Sequence, residues 1–369
     1  MADRAPSVPS TSAPLQAATA QPPRVSNSTS APSRIPPASS LARFGDKIYG
    51  AVTFLASLSI FIIILWLLYQ LTGASLPAIH KFGWSFITKS DWNEETNSFH
   101  ALPFIFGTLY SSLIALVLSV PVSIGAAIFL SELAPRWIRT PATFLIELLA
   151  AIPSVVYGLW GIFILIPFLK LYVFQPVIQP HVPIYHWHLP ATYIPLAQVK
   201  GIGFLFTGQS AGYSMLAAGT ILAIMVTPFI TAVTRDILRA IPRSQREGSY
   251  ALGATQWETI KQVVIPYAKS GIIGAVILGL GRALGETMAV TMVIGNQSPS
   301  TPSGVSLSLF DSGYTMSSVL ANKFNEAIPG LNLAALVEIA LVLFGVTVFV
   351  NIAARLLVFY TAKDVHGGK

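Results

Sequence analysis

The chain has 369 residues, 53% hydrophobic and 10% charged, with a formal net charge of +7 and no cysteine. A soluble domain carries about 25% charged residues, so this composition excludes a water-facing globule and fits a protein whose outer surface meets lipid. The missing cysteines exclude a disulfide framework and thiolate metal sites. The aromatic residues sit inside apolar runs instead of alternating with basic ones, which argues against a nucleic-acid surface.

Residues 1–42 are rich in Pro, Ser, Ala and Thr, as in Pro6-Ser7-Val8-Pro9-Ser10-Thr11. Nothing there offsets the entropy of ordering, so a disordered tail is expected. It has no apolar core behind a basic start and does not read as a signal peptide. Six apolar stretches follow, at about 49–71, 104–133, 141–169, 213–233, 270–295 and 333–357. Each is near or above the roughly 20 residues a helix needs to cross hydrocarbon. The expected fold class is therefore an all-α integral membrane protein with about six transmembrane helices. The first helix and an external loop fill 43–101, the main membrane domain fills 102–360, and 361–369 form a short tail. Alternate loops differ in charge. One set, with the two tails, holds Arg4, Arg24, Arg34, Arg43, Lys47, Arg136, Arg139, Arg235, Arg239, Arg243, Arg246, Lys261, Lys269, Arg355, Lys363 and Lys369; the other holds Lys81, Lys89, Lys170, Lys200 and Lys323. The basic set belongs inside the cell, which puts both termini in the cytoplasm.

Within the second stretch, Pro121 permits a kink, and Glu132 at the inner end reads as a solvated side chain. The third stretch places Glu147 about 12 Å into the membrane, counted at 1.5 Å per residue from Arg139. It is followed by Pro153, Ser154 and Tyr157, an acid near a kink and two hydroxyl donors. Glu147 is thus a candidate partner for a buried cation, a lining residue of an ion path, or a structural group. The external loop after this stretch holds His181, His186 and His188 among prolines and aromatics. With no carboxylate or Cys nearby to complete a metal shell, they read as interfacial histidines rather than ligands.

The cytoplasmic segment 237–269 is the most informative. Pro242 ends what precedes it, Gly253 offers a turn, and two short helices are expected between them and the next span. Tyr250, Leu252, Trp257, Ile260, Val263 and Val264 give an apolar surface flanked by arginines. By pattern alone it suits either docking into a partner's groove or lying on the inner leaflet. The chain has no Gly-x-x-x-x-Gly-Lys-Ser/Thr run. ATP, if it powers this protein, must bind with Mg to a separate chain, and no cofactor is expected here.

Glu247, Gly253 and the close Val263-Val264-Ile265-Pro266 resemble the EAA loop of ABC importer permeases. That loop runs Glu-Ala-Ala, three residues, Gly, nine residues, Ile, one residue, Leu-Pro. Here Gly248 and Ser249 replace the alanines, while Gly253 and Pro266 keep the spacing. The resemblance implies that Glu247, Gly248, Ala251, Leu252, Gly253, Ala254 and Pro266 couple to an ATPase subunit.

The fifth stretch contains Gly281-Arg282-Ala283-Leu284-Gly285-Glu286. On one continuous helix Arg282 and Glu286 share a face about 20 Å beyond Lys269, near mid-bilayer. A lone charge there costs at least about 2.5–3.5 kcal/mol. The pair is expected either to fix helix packing or to pass an anion, and Gly281 and Gly285 to let another helix approach closely. Glu338 in the sixth stretch is a weaker candidate near the outer interface. The runs Glu147–Trp160 and Gly281–Asn296 closely resemble the phosphate-specific ABC importer permeases, C-type subunit. This implies a type I permease fold in a bacterial inner membrane. It also implies a paired A-type permease, an ATPase dimer, an external phosphate-binding protein and a phosphate path through Arg282, Glu286 and Glu147. A permease for another oxyanion (sulfate, molybdate or phosphonate) and an ATP-independent anion transporter are the alternatives.

Overall fold

Helices form wherever the apolar runs predict them, and their interruptions carry the information. The computed structural model describes residues 40–174, 203–206, 212–297 and 305–366. Helix α1 is Ser40–Phe82, followed by the single turn α2, Ser85–Thr88. Strands β1 (Trp92–Asn93) and β2 (Ser98–Phe99) pair antiparallel. The long α3, Leu102–Ile128, continues through a π turn at Phe129–Leu133. Helix α4 is Arg136–Ala151, α5 Ser154–Trp160 and α6 Ile166–Leu169, with π turns at Gly161–Leu165 and Lys170–Phe174. Farther along the chain come a 3-10 turn at Gly203–Phe206, then α7 (Met215–Ala240), α8 (Arg243–Ala251) and α9 (Gln256–Thr259). A π turn at Ile260–Val264 joins α9 to α10, Ile265–Leu284. Helices α11 (Met288–Val293), α12 (Met316–Lys323) and α13 (Leu331–His366) complete the chain. The predicted histidines 181, 186 and 188 and most of the N-terminal tail lie outside the described residues.

Among the described residues, six segments are long and apolar enough to cross a membrane: Lys47–Phe82, Leu102–Leu133, Ser154–Phe174, Met215–Ala240, Gln256–Leu284 and Leu331–Phe359. The part of α1 up to Ile62 and the chain from Ile63 onward form separate compact units. In the first unit every side chain from Lys47 to Ile62 is exposed, as a lipid-facing helix requires.

The third and fifth spans differ from expectation. The chain breaks at Ile152-Pro153, so residues 136–151 form a separate helix and the span starts at Ser154. Proline lacks the N–H and pushes the residue before it toward extended backbone, and Ile152 has ψ 131°. The carbonyl robbed of its helical partner is that of Leu149, and Tyr157 Oη donates to it at 2.7 Å. The fifth span begins earlier than expected, at Gln256, and stops at Leu284. Residues 285–287 are unwound, and the freed carbonyl of Glu286 accepts from Ser317 Oγ at 2.8 Å. Such breaks survive at membrane depth only where neighbouring groups satisfy the backbone.

In the second unit α3 and α7 pack along one another. In a bilayer the tails are as apolar as leucine, so helices associate through close contact and polar bonds. Both are present here. A Cβ on Gly219 would fall 2.3 Å from Ile114 Cγ2. Ser123 Oγ donates to the Thr227 carbonyl at 3.2 Å, and Thr231 Oγ1 to the Ser123 carbonyl at 3.4 Å. A smaller apolar cluster of Ala127, Leu238, Ile241, Val264, Ala268 and Ile272 closes the end of the bundle that bears α8.

Candidate functional site

The segment between α7 and α10 is built by local rules. Helix α8 ends in a Schellman turn: Ala254 N–H bonds the Ser249 carbonyl at 3.2 Å and Gly253 N–H the Tyr250 carbonyl at 2.9 Å. Gly253 has φ +87°, the left-handed region that favours glycine. Thr255 and Glu258 then form a reciprocal capping box that starts α9. The predicted apolar surface divides in two. Ile260 and Val264 are buried in the bundle, whereas Tyr250, Leu252 and Trp257 are exposed, Leu252 at 91%. Glu247, Gly248, Ala251 and Gly253 are exposed as well, Ala254 is half-buried, and Pro266 sits in the first turn of α10. No residue of α8 is buried. An exposed apolar knob on a short, rigidly turned helix is what a partner's cleft needs.

Side-chain bonds hold this segment to the bundle. Arg246 on α8 makes a two-pronged ion pair with Glu132, with Nη2 to Oε1 at 2.8 Å and Nε to Oε2 at 3.2 Å. The same guanidinium donates to the carbonyls of Leu238 and Ile241, both at 2.8 Å, satisfying the C-terminal end of α7. Gln256 Nε2 donates to the main-chain carbonyl of Glu132 at 3.0 Å. Glu132 is therefore no solvated helix-end residue: its side chain is 10% exposed and clamped, because the π turn folds it over α8. A cavity of about 370 Å³ opens beside this pair, lined by Arg239, Arg243, Glu247 and Tyr250 among others.

Within the membrane domain the predicted pair separates. Arg282 lies in the last turn of α10, and Glu286 lies beyond the break, so they do not share a helical face. Gly285 ends the helix between them, and Glu286 Oε1 instead accepts the N–H of Ala289 at 3.2 Å, capping α11. Arg282 is exposed, stacks over Phe229 at 5.8 Å and pairs with no carboxylate among the described residues. The close helix approach expected at Gly281 and Gly285 occurs at neither. A Cβ on Gly281 would meet Asn351 at an ordinary 3.8 Å, and the tight sites are Gly271 and Gly279, each 2.6 Å from an isoleucine of α7, Ile237 and Ile230.

Glu147 does not reach Arg282. It accepts from Arg235 Nη2 at 3.1 Å, and Asp236 Oδ1 accepts from the same nitrogen at 2.8 Å. Arg235 is 5% exposed and Glu147 57%. In the sequence Arg235 reads only as one more basic residue at a helix end, and nothing local marks it as the buried partner of Glu147. Glu338, expected near the outer interface, is 6% exposed, and its Oε2 has no hydrogen-bond partner among the described residues.

A family described as "Binding-protein-dependent transport system inner membrane component" matches residues 119–361. A protein of Haemophilus influenzae, "Phosphate transport system permease protein PstC", is 41% identical over 85% of this chain and 93% of its own length. Proteins of the same description from Pasteurella multocida and Mesorhizobium japonicum are each 42% identical. They cover 86% and 84% of this chain, and 93% and 89% of their own lengths. The match spans both the segment from α8 to α9 and the broken fifth span, and the chain belongs to the binding-protein-dependent transport system inner membrane component family.

Proposed function

We propose that this chain is a transmembrane permease subunit of an ATP-driven inorganic phosphate importer, and that it forms half of the translocation pathway. The observation that carries the reading is its 41–42% identity to phosphate permeases along nearly their whole length. As a permease subunit it is a transporter component and not an enzyme. A second, A-type permease completes the pathway, and an external binding protein delivers phosphate. Two ATPase subunits with ATP and Mg drive the cycle from the cytoplasmic side, where α8 and its exposed Leu252 dock.

Arg282 supports a passage role. An arginine at the foot of an unwound segment, without a carboxylate partner among the described residues, keeps its charge available to a passing anion, in a low-dielectric setting that strengthens the attraction. Binding there must stay weak, since a tight site would trap the ion. Glu286 then shapes the unwound segment by capping α11, and Glu147 acts at the α7 end through Arg235 instead of touching the anion.

The test is uptake of radiolabelled phosphate by proteoliposomes holding the full complex, with ATP inside and binding protein outside. Phosphate uptake that requires ATP, excludes sulfate and drops at least about tenfold in Arg282→Gln, a barrier change of about 1.4 kcal/mol, supports the reading. Uptake without ATP overturns the ATP-driven assignment. Sulfate carried as well as phosphate overturns the cargo, and full transport by Arg282→Gln removes that residue from the pathway.

A further inference from the structure

We propose that Glu132 is the residue through which motion of the coupling segment enters the membrane helices; the inference rests on the reading of the chain as an ATP-driven permease. One residue of the π turn that ends α3 holds the segment at both ends. Its carboxylate grips Arg246 on α8 in two bonds of 2.8 and 3.2 Å, and its carbonyl accepts from Gln256, the first residue of α9, at 3.0 Å. Between these anchors lie Glu247, the Schellman turn at Gly253 and the exposed Leu252.

Little else secures α8. None of its residues is buried, and its one other side-chain bond to the segment beyond it is Ser249 to Thr259 at 3.0 Å. A docked partner that displaces α8 therefore pulls on Arg246. Arg246 pulls on Glu132 and on the end of α7, whose Leu238 and Ile241 carbonyls it also binds. A paired, charge-assisted fork is the side-chain contact suited to this task, because it resists both stretch and rotation. The partners are 17% and 10% exposed, so salt screens them little. From Glu132 the displacement runs into α3, the helix packed along α7 through the close contact at Gly219 and the Ser123–Thr227–Thr231 bonds. Insertion of a π turn, with its extra residue, is a common device at functional positions in helices. Here it aims Glu132 at α8.

The test is the ratio of phosphate transported to ATP hydrolysed by the full complex in proteoliposomes. The chain lacks cysteine, so the double variant Glu132→Cys with Arg246→Cys adds the only pair of thiols on this subunit. Glu132→Gln is measured beside it; this variant keeps the carbonyl bond to Gln256. We expect both variants to co-purify with the ATPase and to transport about tenfold less phosphate per ATP, the factor that loss of about 1.4 kcal/mol of coupling produces. Bridging the two thiols with a short bifunctional reagent should restore the ratio to within about threefold of wild type, a linkage difference under 0.7 kcal/mol. The proposal fails if the unbridged variants keep the wild-type ratio, or if bridging does not raise it. It fails equally if the ATPase dissociates and uptake falls only in proportion, for then the pair serves assembly. Failure of the importer reading shows separately, as wild-type liposomes that take up no phosphate with ATP.

Discussion

Arg235 and Glu147 meet at 3.1 Å although 88 residues separate them, and their bond fastens the amphipathic α4 to the last turns of α7. The pair is lopsided. Arg235 is 5% exposed, and its Nη1 has no partner among the described residues, while Glu147 and Asp236 are 57% and 64% exposed. Removing the acid leaves a buried cation with only Asp236, whereas removing the base leaves carboxylates that water still reaches. Glu147→Ala is therefore expected to destabilise by about 1–3 kcal/mol, as loss of a partner to a buried charged donor does. Arg235→Met, which keeps most of the packing volume, should cost less than about 1.5 kcal/mol. Thermal unfolding of the two variants in detergent checks the order; equal losses would mean that Arg235 is fully solvated in the protein.

Much of the fold follows from composition and local chemistry. Spans two and six begin and end within two residues of the apolar runs, because hydropathy alone sets them, whereas span four runs on to Ala240, past the end of its apolar run. The turn at Gly253 is equally local, a glycine in the left-handed region at the end of a short helix. The break at Pro153 was visible as a possible kink but not as a helix end, since apolar residues run unbroken across it. The unwinding at Gly285 depends on Ser317 supplying a donor from a distant helix, and no local pattern reports that. The bond between Glu132 and Arg246 spans 114 positions. Each is an ordinary charge at a helix end, and only the π turn brings them together.

Gly253 offers a test of the turn that ends α8 by backbone alone. A Cβ at this position would meet nothing within 4 Å, so substitution adds no clash. Its φ of +87° nonetheless opposes any L side chain. Gly253→Ala should cost about 1–2 kcal/mol, the penalty of left-handed backbone, and Gly253→Asn less, since asparagine visits that region more readily. Amide hydrogen exchange across residues 247–259 should rise in that order: wild type, Asn, Ala. Unchanged exchange in Gly253→Ala would show that the turn relaxes without strain.

Arg282 and Glu286 make no ion pair, which predicts how their variants combine. Glu286→Ala loses the bond to Ala289 N–H and should cost about 1 kcal/mol, as a lost helix cap does. Arg282→Gln leaves that cap intact. In a double-mutant cycle on unfolding in detergent, their coupling should stay below about 0.5 kcal/mol, the limit for sites without a shared contact. Exchanging the two charges should not restore transport. A coupling above 1 kcal/mol, or rescue by the exchange, would require a direct pair in some state of the cycle.

Gly279 against Ile230 is one of two close contacts between α10 and α7, the other being Gly271 against Ile237. A Cβ on Gly279 would fall 2.6 Å from both Cγ1 and Cδ1 of Ile230 and 3.0 Å from Val226 Cγ1. Ile230 is fully buried, so it cannot swing clear into lipid. Gly279→Ala should therefore cost about 1–3 kcal/mol by overpacking. Ile230→Ala alone should cost about 2–5 kcal/mol by leaving a cavity. Combined, the new methyl occupies part of the space that the isoleucine vacates, so the double variant should be more stable than the sum predicts by about 0.5–3 kcal/mol. Gly281→Ala is the control, since its nearest neighbour is Asn351 Oδ1 at 3.8 Å, and it should shift stability little. Unfolding midpoints of the four proteins in one detergent decide the matter: strict additivity would place α10 farther from α7, and a large loss at Gly281 would move the close contact one turn-face along the helix.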